Sequence, residues 1–204
     1  MFKARRFYLR AAVLWLALAP ALPELRAEQL ILPVTRQVQS NDWWCWAASM
    51  AMVFNHLDES RVYLQCELAA KQLELSHPCC GEPLSKDCLK GVELQKADFL
   101  RFGFTAEKER KSSWTVITNE IAAGRPVIDW EIYEEKGTSI SHMRVIAGYA
   151  LDAAGGPRLF IKDPSPPPEH GKYIYPGGTS YFINYGTYFE RNNQTYHHIQ
   201  KKAP

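Results

Sequence analysis

The run Gln39-Ser40-Asn41-Asp42-Trp43-Trp44-Cys45-Trp46-Ala47-Ala48-Ser49-Met50-Ala51-Met52-Val53-Phe54 decides how this chain is read. Between residues 46 and 54 only Ser49 is polar. A surface helix carries its apolar residues on one stripe, so a segment apolar around the whole circumference predicts a helix buried on every side. Cys45 falls on its first turn. There the unpaired backbone N–H groups and the positive end of the helix dipole favour a thiolate, the form of cysteine that acts as a nucleophile. A buried free cysteine is often only a small hydrophobe, so a reactive Cys45 needs partners. Gln39, six positions upstream, is the first candidate. If its loop folds back, its side-chain amide and the Cys45 backbone N–H face one carbonyl oxygen as a pair of oxyanion donors. On residue type alone Gln39 reads as an exposed loop amide.

A thiolate nucleophile also needs a base, and the histidines are His56, His77, His142, His170, His197 and His198. His56 would lie about 16 Å along the helix from Cys45 at roughly 1.5 Å per residue, too far to touch the thiol. His77 belongs to a cysteine-rich loop, His170 follows three prolines, and His197 and His198 are expected in a solvated strand or tail. His142 opens the strand-like run Met143-Arg144-Val145-Ile146-Ala147-Gly148-Tyr149, after a flexible approach over residues 137–141. A turn containing Ala153-Ala154-Gly155-Gly156 leads to Arg158-Leu159-Phe160-Ile161-Lys162 and then Asp163-Pro164. This is the pattern of a hairpin. Antiparallel pairing brings Asp163 back toward His142, where a carboxylate would orient the imidazole and favour imidazolium beside the thiolate. The competing role for Asp163 is that of a turn former before proline. Asp152 sits in the turn itself, too far along the hairpin to serve.

With Gln39, then Cys45-Trp46-Ala47 opening an apolar helix, then His142 and Asp163, the chain resembles the papain-like cysteine peptidases. It is most similar to their compact bacterial branch of bacteriocin-leader-processing domains and secreted effector proteases. Gln65-Cys66-Glu67-Leu68-Ala69, Ala123-Gly124-Arg125-Pro126-Val127, the strand ending Gly148-Tyr149, and Asp163-Pro164 carry that likeness, which runs from about residue 39 to 164. The resemblance implies that Cys45 is the nucleophile, His142 the general base, Asp163 the orienting residue and Gln39 the oxyanion donor, with no metal or cofactor. The interval from Cys45 to His142 is 97 residues. That is shorter than the roughly 130 to 150 of papain and cathepsin sequences, and Asp163 stands where those carry asparagine. Both departures fit the compact branch. The cysteine-rich insertion and the segment after Pro164 are less familiar, so specificity does not carry over.

The other four cysteines, Cys66, Cys79, Cys80 and Cys88, lie close together. Pairing the neighbours Cys79 and Cys80 would close a strained ring, so each is expected to reach Cys66 or Cys88, in either combination. The rival is a zinc site using His77 and these thiols, but the spacing matches no common finger or ribbon pattern. Disulfides presuppose export, and the N-terminus supplies an address. Lys3, Arg5, Arg6 and Arg10 precede an apolar run over residues 11–22 that is interrupted at Pro20. That run is shorter than the roughly 20 residues a membrane-spanning helix needs, so residues 1–27 read as a secretory signal cleaved near Ala27, with Ala19-Pro20-Ala21 as a second small-residue site. An uncleaved anchor is the alternative.

Across 204 residues the chain is 46% hydrophobic and 23% charged, which excludes a disordered protein. Removing residues 1–27 takes away five basic side chains and Glu24, leaving 19 basic against 21 acidic residues. A balance so near neutral gives no general attraction to polyanions or acidic membranes, and no basic cluster suggests nucleic acid as a partner. Residues 28–204 are expected to form one monomeric α+β domain. In it the buried nucleophile helix and an N-terminal helical part pack on an antiparallel sheet. Helices are predicted over residues 61–73, 97–103 and 114–123, the last capped by Ser113 and stopped by Gly124 and Pro126. The first strand is predicted over 127–133, with Asp129 and Glu131 on a wetter face. Weaker strands are read at 172–175, 181–184 and 196–200, and the aromatic tail around Gly177-Gly178 is expected to pack over the sheet edge, the alternative being that it lines a substrate cleft. The functional expectation is a secreted or periplasmic cysteine peptidase acting on peptides or proteins through an acyl-enzyme. Alternatives are an amidase or acyltransferase using the same intermediate, and a disulfide-stapled binding domain without activity.

Overall fold

The computed structural model describes residues 29–135, 137–166, 180–190 and 192–203. The proposed signal, His170, the strand read at 172–175 and Gly177-Gly178 lie outside them. Helix α1 (Cys45–Leu57) is followed by α2 (Gln65–Gln72), a short 3-10 turn over Lys86–Cys88, and α3 (Lys96–Arg101). The predicted helix over 61–73 therefore starts four residues late, because residues 61–64 have no regular structure and Leu64 is extended where it enters the helix. Helix α4 (Trp114–Ala122) is capped by the Ser113 side chain on the Val116 N–H, and Gly124 follows it with φ of 75°.

The sheet is antiparallel in every pairing and includes strands on both sides of the helices in sequence. Strands β1 (Gln29–Ile31) and β2 (Phe104–Arg110) precede β3 (Val127–Glu135), which is therefore not the first. They are followed by β4 (Thr138–Leu151), β5 (Pro157–Lys162), β6 (Ser180–Asn184), α5 (Tyr185–Glu190) and β7 (Asn192–Lys201). The spatial order is β2-β7-β3-β4-β5-β6. Strand β1 pairs with β4 at Gly148 to Ala150, beyond the point where β3 begins opposite Ile146. A Cβ on Gly148 would stand 2.6 Å from the Leu30 carbonyl oxygen, so only glycine admits β1 this closely. Strand β2 escapes a sequence reading because four of the seven residues of Phe104–Arg110 are charged, yet Phe104 and Ala106 alternate inward and close the core.

Residues 46–54 of α1 are all buried, as an all-round apolar helix requires. The helix lies against the sheet, with Phe54 stacked on Phe104 at 4.0 Å between centroids and edge-on to Tyr63 and Phe99. Disulfides Cys66–Cys80 and Cys79–Cys88 settle the pairing that the sequence left open and exclude a zinc site on those thiols. The loop they staple grips α1. Trp44 Nε1 donates to the Cys88 carbonyl at 2.7 Å and Trp46 Nε1 to the Lys90 carbonyl at 3.1 Å.

Three further expectations change. The approach to His142 is β-strand, so His142 sits inside β4 rather than at its start. The Asp129 and Glu131 face of β3 is fully buried, not wetter, because Arg144 on β4 lies between the two carboxylates. His197 is buried rather than solvated, since β7 is an inner strand flanked by β2 and β3. No helix among the described residues is long and apolar enough to cross a membrane.

Candidate active site

Cys45 is the first residue of α1 and the chain's unpaired cysteine. The helix begins at Trp44 without any side-chain cap, so its leading N–H groups keep their capacity for a ligand. The preceding loop is held in place by α2. Gln65 accepts from the Ser40 N–H at 3.0 Å and donates to the Val38 carbonyl at 2.8 Å. Its neighbour Cys66 carries one of the disulfides. Within this loop Gln39 is buried, unlike the exposed amide its type suggests. Its Nε2 donates to the Asn41 carbonyl at 2.8 Å, which leaves one amide hydrogen for the cleft.

Gln39, Cys45 and His142 line one cleft of about 490 Å³, together with Trp43, Trp46, Trp130 and Met143 and the acidic Asp42 and Glu93. The hairpin of β4 and β5 delivers the remaining groups. Lys162 pairs with Val145, so Asp163 leaves the strand end beside Arg144, and its carboxylate reaches along β4 to His142. Asp163 Oδ1 accepts from His142 Nε2 at 2.8 Å and from the Ser165 N–H at 2.9 Å. Ser165 Oγ also lies 3.1 Å from Nε2. With Nε2 engaged, Nδ1 is the nitrogen left for the hydrogen bond between the ring and the Cys45 thiol. Asp152, the rejected candidate, caps its own turn by accepting from the Ala154 and Gly156 N–H groups.

The two loops that carry Gln39 and Asp163 are tied by the Arg36 side chain and by one backbone hydrogen bond. Arg36 donates through Nε to the Asp163 carbonyl at 2.7 Å and through a terminal nitrogen to the Ser165 carbonyl at 3.0 Å. The Gln39 N–H donates to the Pro164 carbonyl at 2.8 Å between them.

Burial alone would push an imidazole down, because it penalises the charged ring. At His142 the hydrogen bonds and charges of Asp163 and Cys45 outweigh burial and lift the ring to about 10. Burial pushes Asp163 up. The imidazole, the Ser165 N–H and Arg144 reverse that and hold it well below the usual carboxylate range. The site therefore favours a protonated imidazole between an ionised carboxylate and a sulfur at a helix start. That arrangement suits nucleophilic attack followed by proton delivery to a leaving group.

All four residues singled out from sequence are gathered here. Arg36, Gln65, Ser165, Arg144 and Tyr181, which hold them, were not foreseen. Only Arg144 left a trace: a basic residue at His142 plus two faces the acidic pair Asp129 and Glu131 in the neighbouring strand.

Among proteins of known kind, a family model described as papain-like cysteine protease AvrRpt2 matches residues 26–174. No curated protein matches. Among solved structures, one from Bacillus anthracis named as a C39-like peptidase aligns at a TM-score of 0.47 and 15% identity, covering 83% of this chain and 97% of that one.

Proposed function

Because the chain belongs to the papain-like cysteine protease AvrRpt2 family and so is a cysteine-type peptidase, we propose that Cys45 is its nucleophile, with His142 as acid and base, Asp163 orienting the ring and Gln39 stabilising the oxyanion. The observation that carries this reading is the continuous chain of contacts from sulfur to imidazole to buried carboxylate. The Cys45 sulfur adds to a peptide carbonyl in the cleft. Negative charge then develops on the carbonyl oxygen, where the free Gln39 amide hydrogen and the Cys45 backbone N–H receive it. The His142 proton passes to the departing amine, the C–N bond breaks and a thioester remains. Water loses a proton to the now neutral ring as it attacks the thioester, and Cys45 is regenerated. The substrate is a peptide or protein, as membership of a peptidase family implies, and Trp43, Trp46 and Trp130 in the cleft offer apolar surface for its side chains.

Export and a monomeric state are parts of the same proposal. Two disulfides support an oxidising compartment, outside the cell or in a periplasm. N-terminal sequencing of the exported protein checks this, with a start near residue 28 expected and an uncleaved residue 1 contradicting it. The function is tested by incubating wild type and Cys45→Ala with a diverse peptide mixture and reading products by mass spectrometry. New termini from the wild type alone are expected. Equal cutting by both, or amine-linked adducts in place of free termini, would contradict hydrolysis through Cys45.

A further inference from the structure

The side of β4 that presents His142 also carries a buried polar cluster that the steps above leave unused. Arg144 is completely buried and reaches Asp129 Oδ2 through Nε at 2.8 Å and Glu131 Oε2 through a terminal nitrogen at 3.0 Å. That same terminal nitrogen points at the Tyr181 hydroxyl, 3.4 Å away, and the Tyr181 hydroxyl lies 2.9 Å from Asp163 Oδ2. Guanidinium only donates, so Tyr181 meets it with a lone pair, and the single phenolic hydrogen is left for the carboxylate. The direction of that hydrogen bond is thereby fixed by chemistry.

We propose that Tyr181 and Arg144 are positioning residues for the peptidase reaction, locking the second oxygen of Asp163 so that the first stays on His142 Nε2. The inference rests on the reading of His142 and Asp163 given above. Oδ1 already accepts from both His142 and Ser165, and a carboxylate held at one oxygen can swing about its Cβ–Cγ bond. Tyr181, from β6, removes that freedom. Arg144 in turn is clamped by two carboxylates from β3, so the whole series is anchored to the sheet rather than to a loop. The charged and titratable groups around the imidazole are Cys45 from α1, Asp163 after β5, Asp129 and Glu131 from β3, and Arg144 on its own strand.

Tyr188 on α5 provides an internal control. It is fully buried, and its hydroxyl has no hydrogen-bond partner among the described residues. Tyr181→Phe and Tyr188→Phe therefore each delete one phenolic oxygen, the first from a partly buried ring and the second from a fully buried one, and only the Tyr181 hydroxyl donates to Asp163. The readout is the rate of iodoacetamide labelling of Cys45 against pH, which needs no substrate and reports on the only cysteine outside a disulfide. Tyr181→Phe is expected to slow labelling at pH 7 by about threefold or more and to move the imidazole limb down by about half a pH unit. Tyr188→Phe is expected to overlay the wild type. On a cleaved peptide, Tyr181→Phe should lower kcat by about fivefold or more while KM changes less than about twofold. A Tyr181→Phe curve that overlays the wild type or moves upward, or a Tyr188→Phe curve displaced as far, would overturn the proposal. Because labelling is read separately from turnover, a protein that cleaves nothing contradicts the peptidase chemistry of Cys45 without deciding this one.

Discussion

His142 and His197 are two buried histidines in one sheet, each beside a carboxylate, and their rings are driven in opposite directions. His142 lies 2.8 Å from Asp163, which is itself buried, and is lifted to about 10. His197 lies 3.3 Å from Glu109, which is 40% exposed, with the His198 ring beside it. There burial wins and the His197 ring is pushed below its usual value, the attraction of Glu109 being partly cancelled by His198. A carboxylate neighbour is thus not enough. To hold a proton on a buried imidazole, the carboxylate must be desolvated with it, close, and fixed by other donors. Asp163 meets those conditions through Ser165 and Tyr181.

The largest effect is expected from breaking the comparison at the sulfur. Cys45→Ala should lower peptide turnover by at least about four orders of magnitude while the melting temperature stays near that of the wild type, since the side chain is only half-buried. Next, Asp163→Asn turns the His142 environment toward that of His197. The pH profile of Cys45 labelling should lose its high-pH imidazole limb, and turnover should fall by about 10² to 10⁴. Gln39→Ala leaves both histidines untouched and is expected to cost about 10² to 10³ in kcat, read with the same peptide.

The smallest effect sharpens the other side. His197→Gln should leave turnover unchanged but alter stability against pH. Its folded ring titrates below the unfolded value of about 6.5, so the unfolded chain gains the proton first and stability falls as pH drops through and below that value. Removing the ring should flatten that loss, as followed by urea unfolding at pH 7 and pH 5. His142 has the opposite sign. Its stabilisation is complete below about 6.5 and is lost as pH rises toward about 10.

Local signals made much of this site readable. The apolar circumference of residues 46–54 marks a buried helix whatever surrounds it, and the hairpin grammar around Gly155-Gly156 fixes the return of Asp163 to His142. What escaped depends on partners distant in sequence. Asp129 and Glu131 look like a wet face until Arg144 is placed between them by register. The run containing His197 looks like a tail until β2 and β3 enclose it. Tyr181 gives no local sign at all, because its role arises only where β6 passes the end of β5. Pairing register carries the second layer of the site, and no window of a dozen residues contains it.

The most direct test of the central idea is an NMR titration of the His142 ring in wild type and in Cys45→Ala. The structure predicts a ring that stays protonated through neutral pH in the wild type, with a downfield Nε2 proton shared with Asp163, and a lower midpoint once the sulfur is gone. A ring that is neutral at pH 7, or a midpoint indifferent to Cys45, would contradict the coupling of thiol, imidazole and carboxylate.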